Sequence, residues 1–149
     1  VPPYSDFVAQ GLIKVTDTPI TDLQDDFVEN YWKYHCVDAA IDPYQAQQFG
    51  EQVSKQGVRI ATMAQTQAHF NEPIGELRAT MADGRFSNDG SPLLKWCLQN
   101  AVAVKDRQDR WMMDKANSSQ KIDPLVALIM ALKRCMVAYG RSDGEYFIT

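Results

Sequence analysis

The 149-residue chain holds only two histidines, His35 and His69, and three scattered cysteines, Cys36, Cys97 and Cys135. So few histidines argue against a histidine-rich zinc centre. No cysteine pair has metal-ligand spacing, and an odd count fits a reduced interior better than a disulfide framework. Basic excess is also missing: 15 Lys and Arg stand against 19 Asp and Glu, a formal charge of −4. A whole-domain basic footprint for clamping nucleic acid is therefore absent. An enzyme acting on nucleic acid remains allowed, because metal-binding carboxylates also push the balance acidic. No signal peptide occurs, and no apolar run is long enough to span a bilayer. Neither a Walker sequence nor GxGxxG is present, so ATP hydrolysis has no phosphate cradle. There is no serine nucleophile elbow either.

What the chain does have is one long apolar run, Pro124-Leu125-Val126-Ala127-Leu128-Ile129-Met130-Ala131-Leu132, opened by Asp123. Proline is favoured in the first helical turn, so Asp123 reads as the N-cap or its neighbour. A helix apolar on nearly all sides is expected in a core, here packed on a sheet with Asp123 at one rim. Upstream, Val1 to Asp6 reads as a connector, and the missing initial methionine suggests a piece of a longer polypeptide. Gly11 to Thr16 alternates as a strand. Leu23 to Tyr34 is a helix capped by Thr21 or Asp22, with Leu23, Phe27, Tyr31 and Tyr34 on one stripe.

Cys36 to Ile41 is a short buried strand stopped by Asp42-Pro43. Tyr44 to Lys55 is a helix ended by Gly57, and Val58 to Met63 is the next strand. This order predicts a βαβ crossover with parallel pairing. Gln65 to Asn71 reads as a polar loop holding His69, for which no role is expected. Glu72 to Met81 reads as a helix, and Ser91-Pro92 opens another over Leu93 to Asn100. Ala101 to Lys105 and Arg110 to Met113 form a hairpin whose turn lacks glycine. Lys115 to Lys121 is a basic loop before the last helix, which stops at Gly140. The class is α/β in a single domain, residues 1–149.

Two carboxylates carry the chemistry. Asp42 ends an apolar strand, the usual address for sites in open α/β sheets. Asp123 would meet it if the last helix starts at that edge. Two close carboxylates repel unless a cation lies between them. Oxygen-only ligands suit Mg²⁺ or Mn²⁺, ions that support phosphodiester hydrolysis. Each aspartate is also readable as a simple helix cap, the more usual role of an aspartate before a helix. Asp38, four residues before Asp42, is either a further ligand or a salt-bridge partner. Asp89 reads as a turn residue and Asp114 as surface. Of the basic residues, Lys115 and Lys121 flank the site loop and are the candidates for phosphate contact. Arg107 and Arg110 read as a solvated hairpin.

The stretch from Lys115 through Leu132, with Lys-Ile-Asp-Pro-Leu-Val-Ala-Leu-Ile-Met-Ala-Leu at its heart, resembles the C-terminal end of the terminase large subunit of tailed bacteriophages, especially the HK97-like group. Ile41-Asp42-Pro43-Tyr44-Gln45-Ala46 resembles that family's strand-end aspartate motif, and Arg85 through Trp96 with Asn100 its middle block. The pieces follow in order from about Gly11 to Leu132. The resemblance implies an RNase H-like mixed sheet flanked by helices and a metal-dependent endonuclease cutting concatemeric DNA during packaging. It places Asp42 and Asp123 among the catalytic, metal-binding residues of a two-metal Mg²⁺ or Mn²⁺ site. Double-stranded DNA, the portal protein, the small terminase subunit and an ATPase domain of the same polypeptide are the implied partners, in the cytoplasm of a bacterial host. The hairpin is similar to one beside the family's active site.

In the family the first catalytic aspartate lies on a strand before the Gly-Leu-Ile-Lys-Val-Thr segment. Only ten residues precede that segment here, and Asp6 sits in no matching motif. The expected fold is therefore incomplete at the N-terminus, with weak metal affinity. The alternative expectation is a catalytically inactive fragment or a docking module for portal or small subunit.

Overall fold

The computed structural model describes residues 3–140, which form two compact units, one ending at Thr62 and the other beginning at Met63. None of the described helices is long and apolar enough to cross a membrane.

The first unit opens with helix α1 (Tyr4–Ala9), where a connector was expected. The expected strand over Gly11 to Thr16 is not formed. The Leu12 and Ile13 amides instead donate to the Phe7 carbonyl at 2.9 and 3.3 Å. Local bonding takes the donors that a strand would have offered to a neighbour. Helix α2 (Pro19–Lys33) starts earlier than expected, with Thr18 at the N-cap and Pro19 in the first turn. Only part of its expected stripe faces inward. Tyr31 is buried with Phe27 and Val28 against it, whereas Leu23 and Tyr34 are exposed.

Strands β1 (Ala39–Ile41) and β2 (Ile60–Thr62) pair in parallel, Ala39 opposite Ile60 and Ile41 opposite Thr62, as the βαβ reading required. The ladder is shorter than Cys36 to Ile41 and Val58 to Met63. The crossover runs through α3 (Pro43–Gln45), a π-helical turn (Ala46–Gly50) and α4 (Glu51–Ser54). Its core is Tyr31, Val53 and Val58, with Phe49 meeting Phe27 edge-on at 5.3 Å between centroids. The Tyr31 hydroxyl donates to the Val37 carbonyl (3.2 Å) and accepts from the Arg59 amide (3.5 Å), which ties α2 to both strand entrances. Gly57 has φ +87° with the Trp32 ring 3.0 Å from where a Cβ would stand, so the turn before β2 needs glycine.

The second unit is built on helix α7 (Asp123–Tyr139), packed against α5 (Gln67–Ala82) and α6 (Pro92–Asn100). Within its own unit α7 packs chiefly on helices. It also has an outer face. Leu125, Val126, Leu128, Ile129, Met130, Leu132 and Met136 are buried, but Pro124, Ala127, Ala131 and Ala138 are exposed. Helix α5 begins at Gln67, not at Glu72, so His69 lies on a helix and Pro73 inside one. Proline usually marks a helix start, because in the interior it removes a backbone bond. Here Pro73 is fully buried between the buried Phe70 and Ile74, and packing offsets that cost. The His69 Nδ1 is within 3.1 Å of both Thr66 Oγ1 and the Ala64 carbonyl, a structural role at the helix start.

Helix α6 is capped as read, the Leu94 amide donating to Ser91 Oγ at 3.5 Å. Strands β3 (Ala103–Lys105) and β4 (Trp111–Met113) form the expected antiparallel hairpin. Asp109 supplies the positive φ (61°) that glycine would have supplied. Gly140 ends α7, and Arg141 to Thr149 lie outside the described residues.

Ile129, 1% exposed, sits at the centre of the second unit. Ile129→Ala is expected to destabilise the protein by about 2–5 kcal/mol, read by thermal or urea unfolding.

Candidate functional site

The α7 helix begins without a side-chain cap. Its N-cap position is Ile122, whose carbonyl accepts the Val126 amide at 3.0 Å and whose side chain is buried. An isoleucine there anchors the chain to the core but offers no oxygen to the first-turn amides. Asp123 is the first helical residue, and its carboxylate makes no capping bond. Its side chain is 72% exposed and faces the Lys115 ammonium at 3.8 Å. The reading of Asp123 as an ordinary cap is therefore not the one the geometry realises. The charge stands at the positive end of the helix, which favours a carboxylate.

Lys115 is held in place by an ordered loop. The Asn117 amide and Nδ2 donate to the two oxygens of Asp114 at 3.0 and 2.6 Å. Those bonds hold the Asp114 carboxyl below its ordinary range. Ser118 Oγ donates to the Asp114 carbonyl (2.7 Å) and accepts the Val102 amide (3.2 Å). Ser119 Oγ donates to Asn100 Oδ1 (2.6 Å). Asp114 was read as surface and Asn100 only as part of the middle block, and Ser118 was given no role. An aspartate three residues before an asparagine was the available signal, since Asp side chains commonly close such turns.

Beneath this loop Cys97 is fully buried, and its Sγ–H donates to the Lys121 carbonyl at 3.8 Å. Burial pushes its thiol up, and the Asp123 charge adds to the effect. A neutral, enclosed thiol is a packing group and not a nucleophile. Lys121 itself is exposed on the same loop.

In the first unit, Asp42 directly follows β1, at the carboxyl end of the strand as expected. The Tyr44 amide donates to its Oδ1 at 2.9 Å, so this aspartate does cap the short α3 turn. Asp38 is half-buried just before β1 and is not part of the ladder.

The hairpin carries its own counter-charges. Arg110 pairs with Asp106 at 2.7 Å and Lys105 with Asp109 at 2.7 Å. The Trp111 ring lies between Arg78 (4.3 Å) and Lys105 (4.8 Å), while the Trp111 amide donates to Asn71 Oδ1 at 2.8 Å. Lys133 pairs with Glu72 and ties α7 to α5. The hairpin is thus moored to α5, and Arg110 is paired with Asp106 of its own turn.

Among the described residues no three His, Cys, Asp or Glu side chains gather closely enough to hold a metal ion. In kind, the exposed Asp123 carboxylate and the strand-end Asp42 carboxylate fit a hard divalent cation.

This is the arrangement of an α/β nuclease domain of the RNase H-like class. The crystal structure of the HK97 bacteriophage large terminase superposes with a TM-score of 0.79 at 25% identity, over 89% of this chain and 29% of that one. The family model for the terminase large subunit, endonuclease domain, matches residues 9–138, and the chain belongs to that family. Protein YmfN of Escherichia coli (strain K12) is 32% identical over 108 residues, 71% of this chain and 24% of the relative. The terminase large subunit of Enterobacteria phage HK97 is 26% identical over 148 residues, 96% of this chain and 28% of the relative. The chain therefore spans about a quarter of the length of these relatives.

Arg110 also holds the Asp106 carboxyl below its usual value of 3.8. A lowered folded value means the stability is complete above pH 3.8 and is lost as pH falls through the lowered value. The Trp111 indole resonance should hold its folded position down to that range and shift only below it. In Asp106→Asn the part of the shift that follows the Arg110–Asp106 pair should be gone, as followed by NMR titration.

Proposed function

We propose that the chain is the DNA-cutting part of a phage or prophage packaging terminase, a divalent-metal-dependent endonuclease acting on concatemeric double-stranded DNA. The observation that carries this reading is the family match across residues 9–138, with Asp123 uncapped and exposed at the head of a buried helix. Asp42 and Asp123 are the carboxylates that would hold Mg²⁺ or Mn²⁺, with Asp38 as an additional acidic residue. When bound, such an ion supplies an activated water and neutralises charge on the cleaved phosphodiester.

The chain's own contribution is positional. Burial of Ile122 fixes the start of α7, and Asp123 projects from it into solvent. Lys115 and Lys121, on the loop before that helix, meet the phosphates of the strand. In the longer polypeptide, the partners are an ATPase domain, the portal protein and the small terminase subunit, and the setting is the cytoplasm of the bacterial host.

Nicking of supercoiled plasmid with Mn²⁺ or Mg²⁺ tests this, using the chain and a longer form extended upstream. Cleavage in either form should fall at least about a hundredfold in Asp123→Ala and Asp42→Ala. Lys121→Ala should instead weaken DNA binding and reduce its salt dependence by about one counterion. No metal-dependent cleavage in both forms would overturn the nuclease reading and leave a docking role.

A further inference from the structure

Four bonds that involve a side chain converge on the five-residue turn that carries Lys115, beside the bond from the Ser118 amide to the Asp114 carbonyl at 2.9 Å. Two come from Asn117 to the Asp114 carboxylate, one from Ser118 to the Asp114 carbonyl, and one from the Val102 amide to Ser118. The Asp114 amide in turn donates to the Val102 carbonyl at 2.8 Å, extending the β3–β4 pairing by one step. Two surface side chains rarely hold one geometry, because each loses rotamer freedom. A fixed backbone lowers that loss for Lys115. Its ammonium is consequently presented to Asp123, 3.8 Å away, from a turn that the hairpin itself braces.

We propose that Asp114 is a positioning residue, which holds the Lys115 turn so that Lys115 serves as the resident counter-ion of Asp123. The inference rests on the reading of Asp123 as a metal-binding carboxylate in its consequence only. Lys115 pairs with the carboxylate at 3.8 Å, the position at which Asp123 would hold a divalent ion. With a cation on Asp123, the Lys115 ammonium would be available to a phosphate oxygen. Asp114 never touches substrate in this scheme and acts through Lys115.

Competitive acetylation of lysines, quantified by mass spectrometry on the intact chain, tests the assignment. Exposed Lys95 and Lys121 serve as internal references. Asp123→Asn should raise the Lys115 rate by about two- to fivefold, the scale of an exposed ion pair. Asp114→Ala removes the two carboxylate bonds and leaves the backbone ones, so it should raise the Lys115 rate by less than Asp123→Asn does, with the references unchanged. Asp114→Asn keeps an acceptor for the Asn117 amide and should return the rate most of the way to wild type. An unchanged Lys115 rate in Asp114→Ala overturns the proposal, as does a rise shared by all three lysines, which would mark general loosening. An unchanged rate in Asp123→Asn overturns it too. Adding Mn²⁺ to the wild type reports separately on the metal reading: a faster Lys115 supports it and an unchanged one counts against it, whatever the Asp114 variants show.

Discussion

Burial of one apolar helix governs the second unit. Helix α7 packs on α5 and α6 and buries Leu125, Ile129, Leu132 and Met136, and each buried side chain of this size contributes about 1.5–3 kcal/mol. Ile122, at the N-cap position, is recruited into the same core. The next residue along the chain must then leave the core, because the helix begins there and its first side chain points out. Asp123 is that residue. A carboxylate stands exposed at a fixed point because the hydrophobic residues around it allow the backbone no other course.

The same packing sets what surrounds the carboxylate. Cys97 on α6 lies under the loop and bonds the Lys121 carbonyl, so the segment entering α7 is fastened from below. The hairpin fastens it from the other end through Asp114 and Val102. Lys115 lies between these two attachments and Lys121 at the second of them, the cations of the loop. Two hairpin cations, Lys105 and Arg110, are paired internally with Asp109, Asp106 and the Trp111 ring, while Arg107 is exposed. The division is a physical one: cations paired within the hairpin shape it, whereas the loop cations face an exposed carboxylate or solvent.

Much of this was legible in the residues. The apolar run after Asp123-Pro124, the Ser91-Pro92 cap and the βαβ order each rest on strong local rules, and each formed. The resemblance to terminase nuclease domains, built on the Asp42 and Asp123 motifs, is matched by the family and by the solved HK97 structure. Other features depended on partners that no local pattern specifies. The Gly11 to Thr16 alternation was read as a strand, but its first amides found the end of α1. Pro73 disguised the start of α5, because its burial outweighs a lost backbone bond. The exposed alanine face of α7 is invisible to hydropathy, which counts alanine with the core. Asp114 looked like surface because its partners, Asn117 and the backbone of its own turn, are polar.

The claim at the centre is that the Asp123 carboxylate, held out by a buried helix, accepts a divalent ion. Paramagnetic line broadening by Mn²⁺ in an amide NMR spectrum of the 149-residue chain addresses it directly. At substoichiometric Mn²⁺ the amides of Ile122 to Val126 should broaden first among the residues of the second unit, and Asp123→Asn should abolish that broadening. Broadening confined to other acidic positions, with Ile122 to Val126 sharp at saturating Mn²⁺, would contradict the account.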